Sequence, residues 1–263
     1  MLERSGIVKS FFSPLKEKFK YYGAVTLCIA ATCQEQGHPR IVLCSDTRLD
    51  YADLGSTNTT CKLDVLGHGW CVQLAGEWGG VSYFCSLIRE GVQDSPGPFA
   101  SIRDIESQAK RATATFLKSS LCKTDQVYQL LLSGFLDKRP VLFTVSIFER
   151  NPKVELSDSF AVIGYGYTIA STVLKLREYH SGMPLSYASY LVYEAKRCSE
   201  KTGSVGHITA LAIQAPGDVD VRDKAYVKIM NELGKANLES LYRGIWKVPF
   251  VEIPDLPAEF FVG

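Results

Sequence analysis

Little in this sequence of 263 residues would tie it to a membrane, a nucleic acid or a metal ion. The formal net charge is only +1, so no bulk electrostatic attraction draws it to nucleic acid or to an acidic lipid surface. No apolar run approaches the ~20 residues that a membrane helix requires. The N-terminus carries Phe11, Phe12, Lys16, Lys18 and Lys20 but lacks the continuous apolar centre of a secretion signal. The eight cysteines form no CxxC pair, and no Cys/His grouping has zinc spacing. Cys28, Cys44 and Cys85 sit inside apolar runs, where Cys acts as a small hydrophobe. A chain this long does not need disulfide staples, so we expect reduced thiols and a soluble, cytoplasmic protein. The four histidines, His38, His68, His180 and His207, have no triad-like setting. Gly164-Tyr165-Gly166 lacks the third glycine of a dinucleotide fingerprint, and no cofactor or metal is expected.

With 46% hydrophobic residues the chain can build one large core, or at most two. Residues 25–31 and 40–45 are apolar runs rich in β-branched side chains, and the turn chemistry between them predicts a hairpin. Residues 49–60 read as a polar loop. A second hairpin is expected over 62–66 and 69–74, around Gly67-His68-Gly69. Trp78, Val81, Phe84, Cys85 and Ile88 then fall at helical spacing, until Ser95-Pro96-Gly97-Pro98 ends the pattern. Ser101 can cap a second helix with Ile102, Ile105, Ala109, Ala112 and Phe116 on one face. Strands return over 128–135, 141–148 and 160–163. Helices follow over 167–178 and 185–200, then a strand over 205–214 and a helix over 222–237. The end of the chain, with Pro249, Pro254 and Pro257, reads as extended.

Runs of strands are segregated from runs of helices, which argues for α+β rather than a parallel α/β sheet. Two antiparallel sheets face to face, with a helix pair outside each, would bury every element. The division expected is an extension over 1–25, one domain over 26–240 and a tail over 241–263. Leu15 and Phe19 at four-residue spacing allow a short helix in the extension, which reads either as a loose tail or as a docked pro-segment. No repeat or low-complexity segment is present.

Several motifs, in order, resemble the proteasome β-subunit fold of the N-terminal nucleophile hydrolases. Thr26-Leu27-Cys28-Ile29-Ala30 looks like the strand that opens on the nucleophile, and Asp46-Thr47-Arg48 like the family's Asp-Ser-Arg. Lys62 follows Asp46 by 16 positions and Gly76 follows Lys62 by 14, the intervals of the family. Leu132-Ser133-Gly134 with Pro140-Val141-Leu142-Phe143, and Gly164-Tyr165-Gly166 before a helix, are similar to its later signatures. The opening is nearest the short bacterial homologues, including the Anbu type. The resemblance implies a four-layer αββα sandwich and a threonine peptidase or amidohydrolase that cleaves peptide bonds.

In such a site the Thr26 hydroxyl is the nucleophile and its own α-amine the base. A free α-amine titrates near ~8, and a neighbouring ammonium lowers that further. Lys62 would supply the ammonium, Asp46 would hold Lys62, and the Gly76 N–H would stabilise the oxyanion. Arg48 would brace a loop, and Ser204 would substitute for a supporting serine. The resemblance also implies peptide or protein substrates, a ring or helical homo-oligomer, and an unfoldase as a partner class. The sequence departs from the pattern at three places. Residues 1–25 precede Thr26, and Val25 stands where the family has Gly. A second register, with Gly23 as that glycine, would put Ala24 at the nucleophile position, although Cys28-Ile29-Ala30 fits the Thr26 register better. Tyr165, Thr202 and Val205 occupy positions where the family has its supporting Ser, Asp and Ser. The other reading left open is a non-catalytic homologue acting as a scaffold or binding subunit.

Overall fold

The computed structural model describes residues 26–46, 48–51, 55–57, 62–95, 97, 99–207 and 209–216. The extension over 1–25, the helix expected over 222–237 and the tail over 241–263 lie outside the described residues.

Two antiparallel sheets lie at the centre. The first holds β1 (Leu27–Glu35), β2 (His38–Asp46), β10 (Phe160–Gly164) and β11 (Thr209–Gln214), in the order β10-β1-β2-β11. The second runs β5-β6-β7-β8-β9, from β5 (Leu63–Gly67) and β6 (Trp70–Gly76) through β7 (Val127–Leu136) and β8 (Arg139–Phe148) to β9 (Asn151–Ser157). Helices α1 (Trp78–Gln93) and α2 (Ile102–Lys118) pack on the second sheet. Helices α3 (Tyr167–Leu176) and α4 (Leu185–Ser199) pack on the first. The expected four-layer αββα order is therefore the observed one.

Alternation along each strand sorts the side chains into three apolar layers. In β1, Leu27, Ile29, Ala31 and Cys33 face α3 and α4, while Cys28 and Ala30 face the other sheet. In β6, Trp70, Val72 and Leu74 face α1 and α2, while Cys71 and Ala75 face inward. Both faces are dry, which is why these strands read as unbroken apolar runs rather than as alternating ones. The layer between the sheets is built mostly from small residues such as Cys28, Ala30, Ala75, Ala161 and Ala212. The seven described cysteines are free thiols, and six of them are buried.

Four hairpins turn on two residues of positive φ: Gln36-Gly37, His68-Gly69, Asp137-Lys138 and Glu149-Arg150. That backbone matches the twist of the flanking strands. Helix α1 is capped by Glu77, whose carboxylate accepts the N–H groups of Gly79 and Gly80 at 3.1 and 2.7 Å. In α2 the Asp104 carboxylate accepts the Ser101 N–H at 2.9 Å, closing the cap expected there. Phe116 stacks on Phe84 (4.8 Å) and meets Tyr128 edge-on (4.9 Å), joining both helices to β7.

Three expectations are corrected. The stretch read as a polar loop contains a two-stranded ribbon, β3 (Leu49–Tyr51) with β4 (Gly55–Thr57). Strand β9 was not expected, because Asn151, Pro152, Lys153 and Glu155 are exposed on a sheet edge and carry no apolar signal. The last strand begins at Thr209 rather than Val205, since residues 205–207 are held by contacts outside any ladder.

Candidate active site

The antiparallel pairing of β1 with β2 brings Thr26, just before β1, beside Asp46, the last residue of β2. Lys62 lies just before β5, and its carbonyl accepts the Leu74 N–H from β6 at 2.9 Å. These three side chains meet. The Lys62 ammonium donates to the Thr26 hydroxyl and, at 2.8 Å, to Asp46 Oδ1. All three are sealed from solvent, with Thr26 2%, Asp46 0% and Lys62 1% exposed.

Two backbone donors complete the Asp46 carboxylate. The Leu27 N–H reaches Oδ1 at 2.9 Å and the Gly206 N–H reaches Oδ2 at 3.0 Å. A buried ion pair costs desolvation, and only good geometry with further hydrogen bonds offsets it. Here three donors fix one carboxylate, and the carboxylate fixes the lysine.

Thr26 is pinned from its other side by the turn after β10. Its carbonyl accepts the Tyr165 N–H at 2.7 Å, and Leu27 pairs with Gly164. Gly164 has φ +94°, and a Cβ there would lie 2.2 Å from the Thr26 carbonyl oxygen. Only glycine fits. The Gly164 N–H is held in turn by Gln129 Oε1 at 2.9 Å, so a residue of the opposite sheet sets the turn.

Gly76 ends β6, opposite Tyr128, with φ +139°. A Cβ there would approach Val127 O to 2.4 Å, so the strand-to-helix corner also demands glycine. The Arg48 guanidinium donates to Gly203 O at 3.3 Å, which braces the loop after α4. Ser204 sits in that loop; its backbone N–H bonds Thr202 Oγ1 at 3.3 Å, and its hydroxyl has no hydrogen bond among the described residues. Val205 is buried in the apolar layer over α3 and α4, and Tyr165 is half exposed. His38, His68, His180 and His207 make no bond to Thr26, Asp46 or Lys62; His207 pairs with Glu200 at 3.1 Å.

Sequence reasoning thus names the three side chains that meet but misses the backbone around them. Gly206 and Gln129 carried no signal of their own, since glycine in a loop and glutamine in a strand are common. A further group behind the site was also missed. Lys196 of α4 is fully buried and pairs with Glu200 Oε1 at 2.6 Å. Burial pushes its ammonium below the usual lysine range, against the opposing pull of Glu200. Nearby, burial pushes the Cys44 thiol up to about 12, so it is an inert hydrophobe.

No family model matches the chain, and no sequence among curated proteins matches it. Among solved structures, the crystal structure of eukaryotic HslV from Trypanosoma brucei matches with a TM-score of 0.54 at 13% identity. The match covers 72% of this chain and 99% of that one. At that identity the likeness is one of fold, and the fold is the αββα sandwich of the N-terminal nucleophile hydrolases.

Proposed function

We propose that this chain is a proteasome-like threonine peptidase or amidohydrolase, akin to the bacterial Anbu-type homologues, whose nucleophile is Thr26. The observation that carries the reading is the buried contact of the Thr26 hydroxyl with Lys62, itself held by Asp46 at 2.8 Å. Hydrolysis of the Val25–Thr26 bond would release residues 1–25 as a carboxylate and leave Thr26 with a free α-amine. That amine takes the hydroxyl proton as Oγ1 attacks a substrate carbonyl. The Lys62 ammonium favours the ionised oxygen and keeps the amine unprotonated. The Gly76 N–H is assigned to the oxyanion, a role worth about 3 kcal/mol in comparable sites. The ester formed on Oγ1 is then hydrolysed by water, which restores the hydroxyl. The substrate class is peptide or protein, and the assembly a closed homo-oligomer, ring or helical, in the cytoplasm, with an unfoldase as a partner class. No described helix is long and apolar enough to cross a membrane.

A second reading, a non-catalytic scaffold subunit, rests on Tyr165 and Val205. They stand where supporting hydroxyls would polarise the amine, and Val205 is sunk in the core. One experiment separates the two. The intact mass of the purified protein is measured with and without a β-lactone or epoxyketone. A chain beginning at residue 26 that gains one adduct, and loses it in Thr26→Ala, supports the hydrolase. A full-length mass with no adduct under any condition sinks it.

A further inference from the structure

The buried Lys196 has no part in the chemistry just proposed, yet its surroundings lead straight to it. Residues 205–207 run between a 3-10 turn (Glu200–Thr202) and β11 without joining a strand ladder. Three contacts hold them. Val205 is buried in the apolar layer, the Gly206 N–H donates to Asp46 Oδ2 at 3.0 Å, and the His207 carbonyl accepts from Lys196 Nζ at 3.0 Å. The approach at Gly206 is tight, since a Cβ there would lie 2.5 Å from the Cβ of Arg48 and 3.0 Å from Asp46 Oδ2. Lys196 is itself fixed. Glu200 holds it at 2.6 Å, and Glu200 is held by Arg197 at 2.9 Å and by His207 Nδ1 at 3.1 Å. If α4 needed only packing here, Met or Leu would fill the space without the cost of burying an ammonium.

We propose that Lys196 is a positioning residue for the Thr26 site. By holding the His207 carbonyl it keeps the adjoining Gly206 N–H on Asp46, and so keeps Asp46 on Lys62 and Lys62 on Thr26. The proposal rests on the reading of Thr26 as nucleophile, and the test separates the two.

Lys196→Met alone would strand the Glu200 carboxylate and could unfold the chain. The double variant Lys196→Met/Glu200→Leu replaces the whole pair by apolar groups, a change that is often neutral or stabilising. The full-length double variant is compared with wild type in hydrogen exchange, followed by mass spectrometry on peptides spanning 203–209. A peptide of β7 serves as the control. Exchange over 205–207 should rise about tenfold or more, as expected for losing a hydrogen bond to a charged group, while β7 stays unchanged. Labelling of Thr26 by a β-lactone should slow about tenfold in the acylation step, with initial binding unaltered. Wild-type exchange over 205–207 in the folded double variant overturns the proposal. So does faster exchange with undiminished labelling, because the segment would then not govern the site. If wild type itself takes no label, the hydrolase reading fails, and the exchange arm still decides whether Lys196 holds Gly206 on Asp46.

Discussion

Changing Asp46 to Asn replaces one oxygen by an NH2 group and leaves the shape of the side chain nearly intact, so its cost reads the charge. In the native site Oδ1 accepts Lys62 Nζ at 2.8 Å and the Leu27 N–H at 2.9 Å, and Oδ2 accepts the Gly206 N–H at 3.0 Å. Every neighbour is a donor, so an amide NH2 meets a donor head-on in either orientation. The less costly one keeps the amide oxygen toward Lys62 and Leu27 and turns the NH2 to Gly206. That forfeits one charge-assisted bond, about 1.5–3 kcal/mol. It also removes the negative charge facing an ammonium that is 1% exposed. Breaking one side of a buried pair costs about 3–5 kcal/mol altogether. For a domain of this size that lowers Tm by about 6–20 °C. The assay is urea unfolding, read as a fall in midpoint at constant m. The control is Asp64→Asn: Asp64 pairs with Arg89 at the surface and is 45% exposed, so its loss should stay below about 1 kcal/mol. If Asp46→Asn cost no more than that control, the view of Asp46 as a buried anionic anchor would be refuted.

Other outcomes follow from the same geometry. Gly164→Ala should destabilise by about 1–3 kcal/mol through backbone strain alone, and more through its clash with the Thr26 carbonyl. It should suppress labelling of Thr26 further than its stability loss explains, which parallel urea and labelling series would show. Gly134→Ala should cost about 1–3 kcal/mol or more and disturb near-ultraviolet dichroism, because the added carbon would lie 2.4–2.7 Å from the ring of the buried Trp70. Burial raises Cys33, Cys44, Cys71 and Cys85 from 9.0 to about 12. A folded-state pKa above the unfolded one gives stability that is complete below pH 9 and lost as pH climbs toward 12. Each thiol should therefore remove about 1.4 kcal/mol per pH unit in that window, with Lys196 opposing as a single group of lowered pKa. Denaturant midpoints measured from pH 8 to 11 should fall steadily, and less steeply in Cys71→Ala.

The parts of the fold visible in the sequence are those with local causes. Apolar runs over 25–31 and 40–45 with Gly37 between them left one hairpin to form. The Ser101 cap and the Trp78 stripe marked two helices in succession. Strand β9 was invisible for an equally local reason. Its turn, Glu149-Arg150, adopts positive φ without glycine or asparagine, and its exposed edge carries charge instead of apolar side chains.

The sequence by itself determined which groups could do chemistry: Thr26, Asp46, Lys62 and Gly76, at spacings that strand lengths in this fold dictate. Tertiary structure decided how they are held. The neighbours of β1 and β2 in their sheet are β10 and β11, which arrive more than 100 residues later in the chain. Only that pairing brings the Gly164 turn onto the Thr26 carbonyl and the Gly206 N–H onto Asp46. Backbone donors have no residue letter, and a lysine on a helix reads as solvated until the fold buries it. Gly206, Gln129 and Lys196 were therefore legible only once strands distant in sequence had been set side by side.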